Sequence, residues 1–244
     1  RRTGKTYFTY LRMQELLAQG IPLERLVHVN FDDDRLSALS SENLHLLVDL
    51  HAEMFPEAAG QLCYYFLDEL QDVRGWERFA RRLVDSHRVQ LCVTGSSSRM
   101  LSADIATEMR GRSVEVEIFP LSFAEYLSYN GIFRETPSLV DAPRVRGKLR
   151  KAFADYMVCG GFPDVQGLDT TTRIMLLQGY VDAVVYRDIL ERHEVGSVQS
   201  LKYVLQYLLQ NFGRKVSVRA MANVLKQLSL PHDREMLGDY LAYY

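Results

Sequence analysis

The stretch that decides the fold comes first, "RRTGKTYFTYLRMQELL" at residues 1–17. Gly4, Lys5 and Thr6 match the last three positions of the phosphate-binding loop pattern G-x-x-x-x-G-K-[ST], which stands between a strand and a helix. Residues 1–3 would fill variable positions of the pattern. We therefore expect the first glycine of the loop and its preceding strand to lie before residue 1.

The residues after this motif have the spacing of a helix. Over residues 6–19, apolar side chains recur among polar ones; they are Tyr7, Tyr10, Leu11, Leu16 and Leu17. Such a helix directs its free N–H groups and the positive end of its dipole toward an anion. Gly4 would let the backbone approach a phosphate, Lys5 would reach the β- and γ-phosphates, and the Thr6 hydroxyl would bind Mg²⁺. Thr3 joins them as a nucleotide-binding candidate. The alternative is an ordinary capped surface helix.

The composition is that of a globular protein. The chain has 244 residues, of which 47% are hydrophobic and 25% charged, and its net charge is -2. This balance gives no general attraction to nucleic acid or acidic membranes, so DNA binding would need a local basic face. Cys63, Cys92 and Cys159 lack metal-ligand spacing, which favours reduced, buried thiols in a cytoplasmic protein. No apolar run is long enough to span a bilayer.

Strand and helix patterns alternate along the first half of the chain. Buried strands are predicted within 25–34, 61–73, 89–101 and 113–119, and Pro120 ends the last of them. Helices are predicted at 40–55, at 75–87 and after Pro120. Apolar strands that end in polar residues are typical of a parallel sheet whose site lies at the carboxyl edge. We predict an α/β fold with a P-loop NTPase core of three layers.

Polar residues follow the second and third strands. Asp68 and Glu69 end the apolar run of 61–73, where a carboxylate can hold the Mg²⁺ shell and a neighbouring glutamate can accept a proton from water. Thr94, Gly95 and Ser96 end the next strand, and a hydroxyl there could contact the γ-phosphate or the attacking water. The alternatives are solvated carboxylates that cap the next helix and a serine-rich turn that caps the one after it.

The second half of the chain is predicted to be mostly helical. Residues 130–145 contain Pro137 and Pro143 and indicate a linker. Helices are predicted at 146–158, 170–193 and 197–212, and the residues expected to form the buried stripe of the longest one are Ile174, Leu177, Val181, Val184, Val185 and Ile189. We place the core domain at 1–130 and the helical domain at 131–244.

Residues 214–244 have the pattern of a helix-turn-helix. Ser217 would cap a helix with Met221, Val224 and Leu225 inward, "LSLPH" would form the turn, and 233–244 would begin the second helix. Such a unit often places its second helix in a DNA groove. That helix offers Arg234 among three acidic residues, Asp233, Glu235 and Asp239, so protein–protein packing is favoured over DNA contact.

Several segments together resemble a family of bacterial and archaeal AAA-type ATP-binding proteins with a C-terminal domain of unknown function. They are "RRTGKT" (1–6), "YYFLDELQDV" (64–73), "CVTGSSSRML" (92–101), "MRGRSVEVEIFPLSFAEYL" (109–127) and "GGFPDV" (160–165). The resemblance implies an AAA+-like core, ATP with Mg²⁺, and a helical C-terminal part with a winged-helix-like end. Against this pattern, the chain is expected to be a fragment that lacks both ends.

The resemblance also implies further catalytic candidates. In AAA-type enzymes an arginine near Arg110 and Arg112 can approach the γ-phosphate, often in a neighbouring subunit of a homo-oligomer. The alternative is a basic turn that pairs with Glu115, Glu117 or the acidic loops. The function expected is Mg²⁺-dependent ATP hydrolysis, with Glu69, Ser96, Arg110 and Arg112 as its catalytic residues. The alternative function is a nucleotide-switched module that binds DNA or a protein client.

Overall fold

The computed structural model describes residues 2–95, 109, 111–132, 143–190 and 193–243. Within it the chain forms two compact units, Arg1–Gln166 and Gly167–Tyr244. The domain boundary expected near residue 130 stays a prediction.

A small parallel sheet lies at the centre of the first unit. Its strands are β1 (Leu26–Asn30), β2 (Cys63–Asp68) and β3 (Val89–Val93), in the spatial order β1-β2-β3. Asn30 lies beside Asp68 in the register, so β1 and β2 end at the same edge. The three predicted strands before residue 96 are thus confirmed, in shorter form, with their carboxyl ends together.

Helices cover both faces of this sheet. Helix α1 (Lys5–Ala18) packs through Leu16 on one face, and helices α2 (Leu46–Met54) and α3 (Trp76–Ser86) lie over the other. The side chains of β2 alternate between the two: Tyr64 and Phe66 face α1, whereas Tyr65 and Leu67 join the core under α3. This alternation places the next side chain, that of Asp68, on the α1 side.

Helix α1 buries less of its apolar surface than its sequence pattern predicts. Of the five apolar residues that define the pattern, only Leu16 is buried; the others, Tyr7, Tyr10, Leu11 and Leu17, are exposed. The helix contacts the sheet along a narrower stripe that includes Thr9 and Met13.

The predicted fourth strand is wrong for this structure. Residues 113–119 form no strand, and Val114, Val116 and Phe119 are exposed. Alternating apolar residues favour an extended backbone, but a strand also needs a neighbour that hydrogen-bonds to it. No strand among the described residues pairs with this segment.

The segment after Pro120 is anchored to the end of a later helix. Helix α4 (Phe123–Tyr129) begins with a capping box in which Ser122 and Glu125 satisfy each other's backbone N–H groups. Helix α5 (Pro143–Cys159) packs against α4, and the Tyr156 hydroxyl donates to the Leu121 carbonyl at 2.7 Å. The Leu121 N–H donates in turn to the Gly161 carbonyl at 2.7 Å. These bonds join the "FPLSF" and "GGFP" segments.

The second unit is helical. Helix α6 (Thr170–Ala183) continues into a π-helix, Val184–Leu190, so the predicted 170–193 helix changes its winding midway. Val185 and Ile189 of the predicted stripe are buried, but Ile174 and Val181 are exposed. The predicted buried stripe is therefore wrong over the first half of the segment, because none of the residues of α6 is buried.

Three further helices form the core of this unit. Helix α7 (Val198–Gln210), helix α8 (Val218–Gln227) and helix α9 (Arg234–Tyr243) pack around a shared apolar cluster. Ser217 caps α8 as predicted, accepting from the Ala220 N–H at 3.3 Å. Residues 193–243 contain no β-strand, and a winged-helix end stays a proposal.

All three cysteines are free thiols. Cys63 and Cys159 are buried, whereas Cys92 is half-buried. Burial raises the pKa of the Cys63 and Cys92 thiols, which makes them poor nucleophiles at neutral pH. In the part of the chain that the structure describes, no helix has the length and apolar character needed to cross a membrane.

We predict that Gly161→Ala destabilises the first unit. A β-carbon at Gly161 would collide with the Leu121 carbonyl oxygen, which is backbone and cannot rotate away. We expect a loss of about 1–3 kcal/mol in the free energy of unfolding, as for other overpacked sites.

The matched control is Gly147→Ala inside α5, where a β-carbon meets nothing within 4 Å. Alanine is the better helix former, so this variant should gain roughly 0.5–1 kcal/mol. Urea unfolding measures both. Equal stability of the Gly161 variant and the unmutated chain would contradict the close contact.

Candidate functional site

The site is built around one buried carboxylate. Asp68, at the end of β2, is 1% exposed. The Thr6 hydroxyl donates to its Oδ2 at 2.6 Å, and the Thr94 hydroxyl donates to its Oδ1. Asp68 thereby ties the first turn of α1 to the ends of β2 and β3, elements far apart in sequence.

Glu69 breaks the alternation of the strand. Its φ is 55° and its ψ is 34°, a left-handed conformation that is uncommon for a residue other than glycine. In an extended strand Glu69 would face the side opposite Asp68; the left-handed turn brings its carboxylate toward α1 as well. The Glu69 N–H donates to the Thr94 hydroxyl oxygen at 3.4 Å. Strain of this kind costs about 1–3 kcal/mol and is concentrated at functional sites.

Two side chains hold the Glu69 carboxylate. The Lys5 ammonium lies 3.6 Å from Oε1, with the Lys5 side chain 17% exposed. The Gln71 amide donates to Oε2 at 2.6 Å from a buried position in the 3₁₀ turn Leu70–Asp72. Each carboxylate oxygen of Glu69 therefore has its own partner.

Gly4 sets the direction in which α1 begins. It caps the helix with a φ of 99°, in the left-handed region that only glycine enters without strain. Its carbonyl accepts from the Phe8 N–H at 2.9 Å, which closes the first turn. Lys5 and Thr6 follow immediately, so the ammonium and the hydroxyl both come from the helix start.

The residues present fit a magnesium ion. Mg²⁺ prefers oxygen ligands and is usually held by one or two protein groups together with waters and phosphates. The Thr6 hydroxyl and the Asp68 carboxylate supply two such oxygens side by side. Phosphate and water would complete the coordination. In the described ranges, no group of three or more His, Cys, Asp and Glu side chains is suited to a metal.

The remaining predicted site residues are Arg112, Thr3, Ser96 and Arg110. Arg112 donates to Asp85 of α3 at 3.1 Å, so it pairs with a helix residue rather than with Glu115 or Glu117. Thr3 is partly exposed and precedes Gly4. Ser96 and Arg110 fall outside the described residues.

Two residues of the site had little signal in the sequence. Gln71 reads as a neutral loop residue, and only its position two residues after Glu69 could have drawn attention to it. Thr94 lies in the predicted serine-rich strand end, but the predicted catalytic hydroxyl there is that of Ser96. Thr94 is the residue whose hydroxyl contacts both Asp68 and the Glu69 backbone.

Two family models match the chain. An AAA domain matches residues 1–127, and a domain of unknown function matches residues 150–243. The first match contains the start of α1 and the ends of β2 and β3. It therefore includes Asp68, Glu69 and the side chains that contact them. No solved structure matches the chain.

Curated relatives come from an archaeon and a bacterium. An uncharacterized protein of Methanocaldococcus jannaschii is 31% identical over 100% of this chain and 52% of its own length. An uncharacterized protein of Haemophilus influenzae is 30% identical over 99% of this chain and 57% of its own length. The chain thus spans about half the length of these relatives. With its first 127 residues matched to the model of that domain, the chain belongs to the AAA-domain family.

Proposed function

We propose that this protein binds ATP with Mg²⁺ and hydrolyses it. The observation that carries the proposal is the contact of Thr6 with Asp68, which joins a hydroxyl at a helix start to a carboxylate at a strand end. Phosphoryl-transfer sites use this pair of groups to hold the metal next to the phosphates. The AAA-domain match over the same residues supports it.

The start of α1 is the proposed phosphate site. The free N–H groups of its first turn and its dipole favour an anion. Lys5 adds a full positive charge, and Gly4 leaves the approach open because nothing lies within 4 Å of where its β-carbon would be. The bound Mg²⁺ would neutralise phosphate charge during the reaction.

Glu69 is the proposed general base. It would take a proton from the water whose oxygen forms the new bond to the γ-phosphorus, while the bond to the β-phosphate oxygen breaks. Phosphate oxygens compete with Glu69 for Lys5, so we expect Lys5 to move toward bound ATP. Gln71 would then keep the Glu69 carboxylate oriented.

The remaining parts of the proposal concern assembly and place. We propose a homo-oligomer in which Arg110 or Arg112 stabilises transition-state charge at a neighbouring site, and a cytoplasmic protein with reduced thiols. Arg112 supports this through its partly exposed guanidinium, which a partner could draw away from Asp85.

We expect Lys5→Ala to weaken Mg·ATP binding roughly tenfold or more. A charge-assisted contact to phosphate is worth about 1.5–3 kcal/mol. Titration calorimetry on the intact protein measures the affinity. Lys151→Ala on α5 removes an exposed lysine outside the site and should change nothing. Unchanged affinity in the Lys5 variant would remove the phosphate-site assignment.

Glu69→Gln should leave ATP binding intact and slow hydrolysis by roughly 10²–10⁴, the contribution of a positioned base. The amide keeps the shape of the side chain but cannot accept the proton. Phosphate release is measured beside direct ATP binding, with Glu57→Gln on the surface as the control.

The outcomes of this measurement separate two functions. If the unmutated protein binds ATP but releases no phosphate above background, it acts as a nucleotide-dependent switch and the hydrolase proposal fails. If Glu69→Gln hydrolyses ATP at the normal rate, the base is another residue.

Gln71→Leu should lower kcat about tenfold with little change in KM, because a hydrogen bond to a charged group is worth about 1.5 kcal/mol or more. If Gln71 acts only through Glu69, the same change in the Glu69→Gln background should have no further effect. Additive losses in the double variant would show that Gln71 acts independently of Glu69.

A further inference from the structure

The second unit contains a long segment with cations and no carboxylates. Residues 195–232 include no Asp or Glu, although the whole chain carries a net charge of -2. The cations of the segment are Lys202, Arg214, Lys215, Arg219 and Lys226. These five cations on α7, on α8 and on the loop between them therefore have no carboxylate near them in sequence.

Helix α8 turns its cations to solvent. Arg219, Asn223 and Lys226 follow each other at i, i+4 and i+7, and all three are exposed. Met221 and Leu225 on the opposite side are fully buried. The exposed side of α8 is thus polar and cationic along its length, with an amide between two cations.

The loop before α8 extends this surface. Arg214 and Lys215 are exposed there, following a turn in which the Arg214 N–H donates to the Asn211 carbonyl at 3.0 Å. Phe212 in the same turn is 91% exposed. We call Arg214, Lys215, Arg219 and Lys226 the α8 cationic face.

Internal ion pairs do not account for these charges. None of the four cations forms a salt bridge with a residue that the structure describes, whereas Lys202 lies 3.7 Å from Asp182. Lys226 lies in the last turn of α8, where the helix dipole favours a cation, but Arg219 lies in the first turn and Arg214 and Lys215 in the loop just before it, where the dipole disfavours positive charge. The placement of these three lowers the stability of the helix rather than raising it, and an external anion would offset that cost.

We propose that the α8 cationic face binds the phosphate backbone of duplex DNA. Arginine, lysine and asparagine are the residue types that contact phosphates and base edges. The B-form major groove is wide enough for a helix, whereas that of duplex RNA is too deep and narrow to be read by side chains. The polar outer side of α8 has no apolar stripe to insert into a membrane.

Two other helices fit DNA less well. Helix α9, the second helix of the helix-turn-helix pattern, presents Glu235 and Asp239 beside Arg234. Helix α5 carries five cations between Arg144 and Lys151, but exposes Phe153, Met157 and Val158 one or two turns further on. The exposed side of α5 is thus partly apolar, whereas the exposed residues within α8 itself are all polar.

The test is the salt dependence of binding to a labelled mixed-sequence duplex of about 30 base pairs, or roughly three helical turns. Fluorescence anisotropy on the intact protein, with and without Mg·ATP, follows the affinity between about 50 and 200 mM salt. Four phosphate contacts predict that the logarithm of the binding constant falls with the logarithm of the salt concentration with a slope of about -3.6.

The decisive variant is Arg219→Ala with Lys226→Ala. Both side chains are exposed, so the fold should persist, and circular dichroism checks it. We expect the affinity at low salt to fall about tenfold or more and the slope to become less steep by about 2. The charge-preserving pair Arg219→Lys with Lys226→Arg should keep the slope.

The matched control removes two cations from α5, as Arg146→Ala with Arg150→Ala, and should leave DNA binding unchanged. The proposal is overturned if the unmutated protein does not bind the duplex at low salt, or if the α5 variant loses affinity while the α8 variant retains it. Tighter binding to duplex RNA or to phosphatidylserine vesicles than to DNA would also overturn it. ATP hydrolysis is not required for any of these results.

Discussion

The hydrogen bond from Thr6 to the buried Asp68 carboxylate is the interaction on which the first unit depends. A buried carboxylate is costly unless it is hydrogen-bonded, and Asp68 meets that requirement through hydroxyls from α1 and from the end of β3. The order of the sheet makes this feasible, because β1, β2 and β3 are parallel and their carboxyl ends share one edge. Helix α1 must therefore begin at that edge, with Gly4 and Lys5 directly beside it.

The proposed general base is also the residue with backbone strain. Glu69 leaves the strand in a left-handed conformation, and only this turn brings a second carboxylate to the side where Lys5 and Thr6 lie. Two neighbouring carboxylates thereby acquire different surroundings: Asp68 meets hydroxyls, and Glu69 meets an ammonium and an amide. This difference matches the separate roles proposed for them, metal ligand for one and base for the other.

The sequence predicted the parts of the fold that have strong local signals. The glycine, lysine and threonine at a helix start, the apolar strands that end in polar residues and the Ser217 cap are all local patterns, and the structure contains them. Residues 113–119 show where such patterns fail, because alternation predicts an extended backbone but cannot supply the neighbour that makes it a strand. Ile174 and Val181 have helical spacing, yet their exposure depends on what packs against α6. Gln71 belongs to no sequence motif, and its side-chain contact with Glu69 exists only in the folded turn.

The central claim is that a hydroxyl and a carboxylate, brought together by the parallel sheet, bind Mg²⁺ with ATP. The most direct measurement is calorimetric titration of ATP into the unmutated protein and into Thr6→Val, each with Mg²⁺ and with a chelator. Valine keeps the shape of threonine but lacks the hydroxyl oxygen. The account predicts that the unmutated protein binds ATP much more tightly with Mg²⁺ than without it, and that Thr6→Val loses this difference. Equal enhancement by Mg²⁺ in both proteins would contradict it.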